Sequence, residues 1–237
     1  AEQKIALEKA QSAEAAARKA LEDAVAQLAY AEPTATAELR EVQDVVFDDS
    51  FPLGARSRNT SRDDAVWPLD PEFGTKSGRR VLQIAYGGDY DLSLDLSLIP
   101  VMTRTDGRIE FWLRIDPFAP PKGLAFRYDD GKNHQIVWGD KSKVGGNADL
   151  EMGPIPTGGE WVRIKIPFDK VGSTADSRIK SMTFAIDRGK VFVDDMRIVG
   201  KATPAKDPRA SFSQWWSVSK GSNPSAIDGE LRKLLVD

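Results

Sequence analysis

The sequence predicts an antiparallel β-sandwich of jelly-roll type, with a long helix before it and a short helical tail behind it. Three observations predict this. Apolar and polar residues alternate through residues 44–200, Asp-Gly and Gly-Gly pairs punctuate those runs, and residues 1–30 contain neither Gly nor Pro. Period-two runs bounded by tight-turn residues are half-buried strands, whereas a stretch of Ala, Glu, Lys, Gln and Leu is helix-forming.

The first element spans residues 1–31. Ala6, Ala10, Ala13, Ala17, Ala20 and Ala24 recur at spacings of 4-3-4-3-4, a heptad seam of small residues that Leu21, Val25 and Leu28 extend. Such a seam lets two helices approach closely but buries little area. It therefore predicts a coiled-coil-like helix with a partner, either elsewhere in a parent chain or on a second copy; the bland alternative is a lone solvated helix. Pro33 ends it, and residues 31–43 read as a polar connector.

Residues 44–200 carry the sandwich. Ile109, Phe111, Leu113 and Ile115 alternate with Glu110, Trp112 and Arg114; Val162, Ile164 and Ile166 alternate with Trp161, Arg163 and Lys165; and Met182, Phe184 and Ile186 alternate with Ser181, Thr183 and Ala185. Thr105-Asp106-Gly107, Asp129-Asp130-Gly131-Lys132, Gly158-Gly159 and Asp187-Arg188-Gly189 are the expected turns. The segment from Ser50 to Arg80 is a long loop, of the kind that is functional or caps an open end. Residues 201–237 become helical again: Asp207-Pro208 opens a helix whose Phe212, Trp215 and Trp216 share one face.

Composition excludes several function classes. The 237 residues carry 33 Lys and Arg against 36 Asp and Glu, a net charge of −3, which supplies no overall field for nucleic acid or anionic lipid. Cysteine is absent, so disulfides, thiol catalysis and haem attachment through Cys are excluded within this sequence. No apolar run reaches the ~20 residues of a membrane span. The chain opens at Ala1 without a charged-then-apolar leader, so no signal peptide is expected in it, and the missing start Met is what a piece of a longer chain or a processed chain would show.

The opening VVFDDSFPLG, the GEWVRIKIPF segment and the closing IKSMTFAIDRGKVFVDDMRIVG together resemble carbohydrate-binding modules of the galactose-binding jelly-roll type. The whole chain, from the Ala/Glu/Lys helix through F-W-L-R-I-D-P and V-W-G-D to the D-P-R-x-S-F-x-x-W-W tail, is similar to the central part of large planctomycete-type surface cytochrome c proteins. That resemblance implies an extracellular, cell-surface or periplasmic location, with other domains of the parent chain as neighbours, and leaves the ligand of the sandwich open; the module likeness implies non-catalytic polysaccharide binding, and the alanine seam allows helix-mediated self-association. The family's haem motif is missing here, so no haem is expected in this segment.

In the resembled modules the first and last strands lie side by side and hold a structural calcium. The resemblance implies Asp48, Asp49, Asp194 and Asp195 as its carboxylates, with Thr75-Lys76-Ser77-Gly78 supplying carbonyls. Ca²⁺ takes six to eight oxygens at about 2.3–2.6 Å, and crowded carboxylates repel without a cation. The competing account is four ordinary strand-end aspartates answered by water, Arg80 or Arg197. Period two sends neighbours to opposite faces, so one Asp of each pair is expected to point away.

The expected sugar platform is the outward face of the central strands: Trp112 with Glu110 and Arg114, joined by Arg127 and Gln135. An aromatic ring stacks on the C–H face of a pyranose, and guanidinium and amide groups pair with hydroxyls. Arg114 and Arg127 also suit a sulfated or uronic-acid glycan. Trp161 is a weaker second platform. Against this stands a spacer or interaction domain whose Trp112 is covered by neighbouring polypeptide; exposure of Trp112 separates the two. Enzymatic activity is not expected. His134 is the sole His and sits in a strand with Ile136 and Trp138, which predicts a structural role, and Glu110 and Glu151 are the best loose acids for glycoside hydrolysis.

Overall fold

The computed structural model describes residues 9, 11–17, 19–20, 39–52, 55–59, 66–85, 90–96, 101–203 and 207. Contacts divide the chain into two units, residues 1–38 with 203–218 and residues 39–202 with 219–237. In the first unit residues 11–17 are helical. Of the expected alanine seam, Ala13, Ala17 and Ala20 are described, helical and exposed; the rest of that long helix, and the aromatic face of the expected C-terminal helix, lie outside the described residues.

The second unit holds thirteen strands among the described residues. They are β1 (Arg40–Phe47), β2 (Arg56–Asn59), β3 (Leu82–Ala85), β4 (Tyr90–Asp95), β5 (Val101–Met102), β6 (Thr105–Ile115), β7 (Gly123–Asp129), β8 (Asn133–Gly139), β9 (Leu150–Glu151), β10 (Trp161–Pro167), β11 (Arg178–Ile179), β12 (Ser181–Ile186) and β13 (Lys190–Ala202). One sheet runs β1-β13-β6-β10, with β3 also on β13; the other runs β2-β4-β12-β7-β8-β9; β11 and β5 pair separately. The pairings are antiparallel except β8 with β9. The inward rows meet in one core, where Phe111 of β6 packs against Phe126 of β7 and Phe184 of β12 with ring centroids 5.5 Å apart in both pairs. The mainly β, antiparallel architecture is the one the alternation predicts.

Three local expectations change. β1 begins at Arg40, inside the stretch read as a connector. Glu41, Gln43 and Val45 face solvent while Asp44 and Val46 face inward, and β13 supplies the hydrogen bonds, so a polar-looking run becomes an edge strand. Thr105-Asp106-Gly107 is a β-bulge in β6 rather than a hairpin turn: Thr105 faces Lys201 and Arg108 faces Val199, so Asp106 and Gly107 oppose Gly200 alone. A Cβ on Gly200 would come within 2.7 Å of the Gly107 Cα, which is why two glycines meet there. Finally, Asp187-Arg188-Gly189 carries the chain from β12 in one sheet to β13 in the other.

β13 positions the site. Its C-terminal part, from Met196, pairs with β1, and Lys190–Val193 pairs with β3. Asp194 and Asp195 fall in the gap between those partners. A bulge there, with Asp195 at φ +48, resets the alternation, so Val191, Val193, Met196 and Ile198 all reach the core.

Candidate functional site

The outer face of the β1-β13-β6-β10 sheet is built in rows. Trp161, Arg114 and Phe192 form one row across β10, β6 and β13; Arg163, Trp112 and Asp194 form the next; Lys165, Glu110 and Arg197 form the third. The segment Phe73–Ser77, part of the long loop, lies over the first two rows. The Phe73 ring sits 4.5 Å from Phe192 and 6.1 Å from Trp161, the Arg114 guanidinium lies over it at 4.3 Å, and the Trp161 Nε1 donates to the Gly74 carbonyl at 3.3 Å. The Lys76 ammonium stands 4.8 Å from the Trp112 ring centroid and the Arg163 guanidinium 5.8 Å from it. Trp112 is therefore half-buried, with two cations against its ring, and Trp161 holds the loop.

Glu110 is only 2% exposed and forms ion pairs with both Arg108 and Arg163. Burial pushes its carboxyl up, but the two guanidinium groups together outweigh burial and hold it below the usual carboxylate range. Arg127 and Gln135 do not join this face. They belong to β7 and β8 in the opposite sheet, and because the core lies between the sheets, their outward side chains leave from the far side of the sandwich. Gln135 is 7% exposed; its Oε1 accepts from Arg127 Nε at 2.6 Å, its Nε2 donates to the Gly145 carbonyl at 2.6 Å, and Arg127 also donates to the Val144 carbonyl. Both side chains thus anchor the loop after β8. With Val144 and Ala148 over Ala125, Val137 and Ala185, that loop covers the outer face there. Glu110 and Glu151 likewise lie on different sheets, and Glu151 pairs with Lys141 at 2.8 Å.

The four aspartates separate into different roles. Asp49 Oδ1 accepts from the amides of Arg79 and Arg80, both at 2.7 Å, and Asp195 Oδ1 pairs with Arg197 at 2.5 Å. Asp48 and Asp194 converge on Ser77, whose hydroxyl donates to Asp48 at 2.8 Å and whose amide donates to Asp194 at 3.2 Å; the Lys76 amide donates to Asp194 at 2.6 Å. The second oxygen of each, Asp48 Oδ1 and Asp194 Oδ1, is buried with no hydrogen-bond partner among the described residues. Asp194 is fully buried; desolvation raises its pKa, the Lys76 and Ser77 amides oppose this, and the charge of Asp48 raises it further. Contrary to strict alternation, neither Asp194 nor Asp195 enters the core, because the bulge resets the phase between them.

At the Arg114 end of the face lies an open groove of about 540 Å³, lined by Phe73, Gln83, Arg114, Phe118, Lys190 and Phe192 among others. Phe118 is 96% exposed on its lip. Its loop is held: the Phe118 amide donates to Asp116 Oδ1 at 2.9 Å, Lys190 Nζ lies 3.6 Å from Asp116 Oδ2, and the Lys190 amide donates to the Ala119 carbonyl at 2.8 Å. A Cβ on Gly189, at φ +77, would overlap that same carbonyl. Arg114, half-buried, makes no hydrogen bond or ion pair among the described residues, so its N–H groups face the groove uncommitted. Phe118 stands outside the strand alternation that marks the other candidate residues. The available signal was an aromatic inside Asp-Pro-Phe-Ala-Pro-Pro, where prolines keep the chain out of a sheet and leave the ring unburied.

His134 is buried in the second sheet, stacked on Tyr128 at 4.7 Å, with Nε2 3.0 Å from Asp130 Oδ1 and 3.3 Å from Ser173 Oγ. Its contacts are those of a structural His.

No family model matches the chain, and no protein of curated function matches it. Solved structures similar to it include TmCBM61 in complex with β-1,4-galactotriose, at 15% identity over 62% of this chain and 88% of the other, with a TM-score of 0.40. The CBM22-1 xylan-binding domain from Paenibacillus barcinonensis Xyn10C matches at 11% identity over 66% and 91%, with a TM-score of 0.39. A variant of a family 29 carbohydrate-binding module matches at 11% identity over 66% and 90%, also at 0.39. At such identities no binding residue transfers from them to this chain.

Proposed function

We propose that the sandwich is a non-catalytic polysaccharide-binding module of a larger cell-envelope protein, with its site in the groove of Phe73, Arg114 and Phe118. One observation carries this: a ring 96% exposed, on a loop tied down by Asp116 and Lys190, stands at the lip of a groove beside an uncommitted guanidinium. An aromatic ring presented to water on a tethered loop is what the C–H face of a pyranose stacks upon. Arg114 and Gln83 supply planar donors for hydroxyls. Because the loop is ordered before binding, little entropy is lost on capture. The parent context, a surface cytochrome c protein, belongs to the same proposal and rests on the residue likeness given above.

A structural calcium is part of the proposal. The two orphaned buried oxygens of Asp48 and Asp194 fit a hard cation, since a buried carboxylate oxygen without a partner is costly. Asp48 and Asp194 would hold the ion, which would neutralise two crowded carboxylates and tie β1 to β13 and the Thr75–Gly78 turn.

Native electrophoresis through gels containing neutral and acidic polysaccharides tests the site. Retardation by at least one polysaccharide is expected. Phe118→Ala should weaken it about tenfold, the size of a 1.4 kcal/mol contact, with no change in Tm. Retardation that survives Phe118→Ala and Arg114→Ala unchanged would place the ligand elsewhere.

A further inference from the structure

We infer that this module selects acidic polysaccharides, carrying uronate or sulfate groups, through a strip of cations on the outer face of the β1-β13-β6-β10 sheet. The inference rests on the polysaccharide-binding reading above and names its substrate class. The strip begins where the groove ends, since Arg114 and Trp112 are two residues apart on β6. The Phe73–Ser77 segment contributes Lys76 to it, and beyond that segment it presents Arg163, Lys165, Arg108 and Arg197. Glu110 is shared by Arg108 and Arg163, and Arg197 is answered by Asp195. Lys165 and Lys76, both exposed, have no carboxylate partner among the described residues. Against Glu110, Asp195 and the buried Asp194 of the middle row, the five cations leave two in surplus, on a chain whose net charge is −3. Asp106 and Glu41, with Lys201 paired to Asp106, close the far end of the face.

The geometry suits a polymer with spaced charges. Arg163 and Lys165 are successive outward residues of β10 and stand about 7 Å apart along the strand. Strand-borne guanidinium groups pinned by a buried carboxylate keep their orientation, as bidentate capture of carboxylate or sulfate requires. A nucleic acid duplex presents one charge per about 1.7 Å, far denser than two surplus cations can answer on an acidic protein.

The test uses the full chain in gels containing polygalacturonate, alginate or chondroitin sulfate, against neutral galactan and xylan, with single-stranded DNA as a charge control, at rising NaCl. Retardation by an acidic polysaccharide that weakens with salt is expected. Lys165→Gln with Lys76→Gln should lower that affinity by about threefold or more, the range of exposed ion pairs, while Tm stays at the wild-type value. Binding of neutral polysaccharides alone, or acidic binding unchanged in the double variant, overturns the inference and leaves the module a polysaccharide binder. Equal retention by DNA overturns it in favour of non-selective charge attraction. Absence of binding to every polysaccharide removes the underlying reading instead.

Discussion

Asp48 and Asp194 come together over Ser77: each gives one carboxylate oxygen to that residue and keeps the other buried without a hydrogen-bond partner among the described residues. They meet because β1 pairs with β13 only as far as Phe47 opposite Met196. The next residue of β1 therefore reaches the gap in which Asp194 lies.

Calcium should raise Tm, and EDTA should reverse the rise. Without the ion, Asp48→Asn should be neutral or stabilising, because it removes one of two crowded charges. With the ion, the same variant should lose the rise. Thermal scans of both proteins with and without Ca²⁺ check this, and a wild-type Tm indifferent to calcium removes the site.

Gly78→Ala should destabilise the turn that carries these contacts. Gly78 has φ +52, and a Cβ there would overlap the Asp49 carboxylate. The backbone term alone costs about 1–2 kcal/mol. Urea unfolding should show a lower midpoint, and the calcium-induced rise in Tm should shrink with it.

Arg104 and Asp44 form an ion pair buried in the sandwich, at 2% and 6% exposure. Arg104→Met should cost up to about 3–5 kcal/mol by removing the guanidinium paired with a buried carboxylate. Adding Asp44→Leu should recover most of that loss. Denaturant titrations of the two variants against wild type measure both effects, and an Arg104→Met loss below 1 kcal/mol would contradict the burial of this pair.

Glu110 gives the pH dependence. Its pKa lies below the ordinary 4.5 because Arg108 and Arg163 together outweigh its burial. A carboxyl depressed in the folded state contributes stability that is present above its unfolded value and lost as pH falls through the folded one. Between pH 6 and 3, Glu110→Gln should show a shallower fall of unfolding midpoint than wild type. Parallel curves would mean the triad contributes nothing.

Gln135→Ala should loosen the loop after β8 without touching glycan binding, since Gln135 holds Arg127 and the Gly145 carbonyl on the sheet opposite the groove. Faster amide exchange through residues 143–149, with unchanged gel retardation, is the expected pair of results.

Along the unbulged strands, such as β6 from Arg108, β10 and β12, the alternation of residue types shows which side chains leave inward and which outward. That knowledge is local: a pleat has period two, and Ile109, Phe111, Leu113 and Ile115 must point opposite to Glu110, Trp112 and Arg114. The sequence also offered Asp48, Asp49, Asp194 and Asp195 as acids of the first and last strands, leaving open which of each pair would meet. Which outward residues become neighbours depends on how distant strands pair. Trp112 and Arg127 have the same alternation, yet β6 and β7 belong to different sheets, so a core layer separates their faces. The bulge at Asp195, the loop laid over Trp112 and the meeting of Asp48 with Asp194 are likewise products of pairing between distant strands. Such pairing is set by hydrogen bonds and packing across the fold, and no spacing along one strand encodes it.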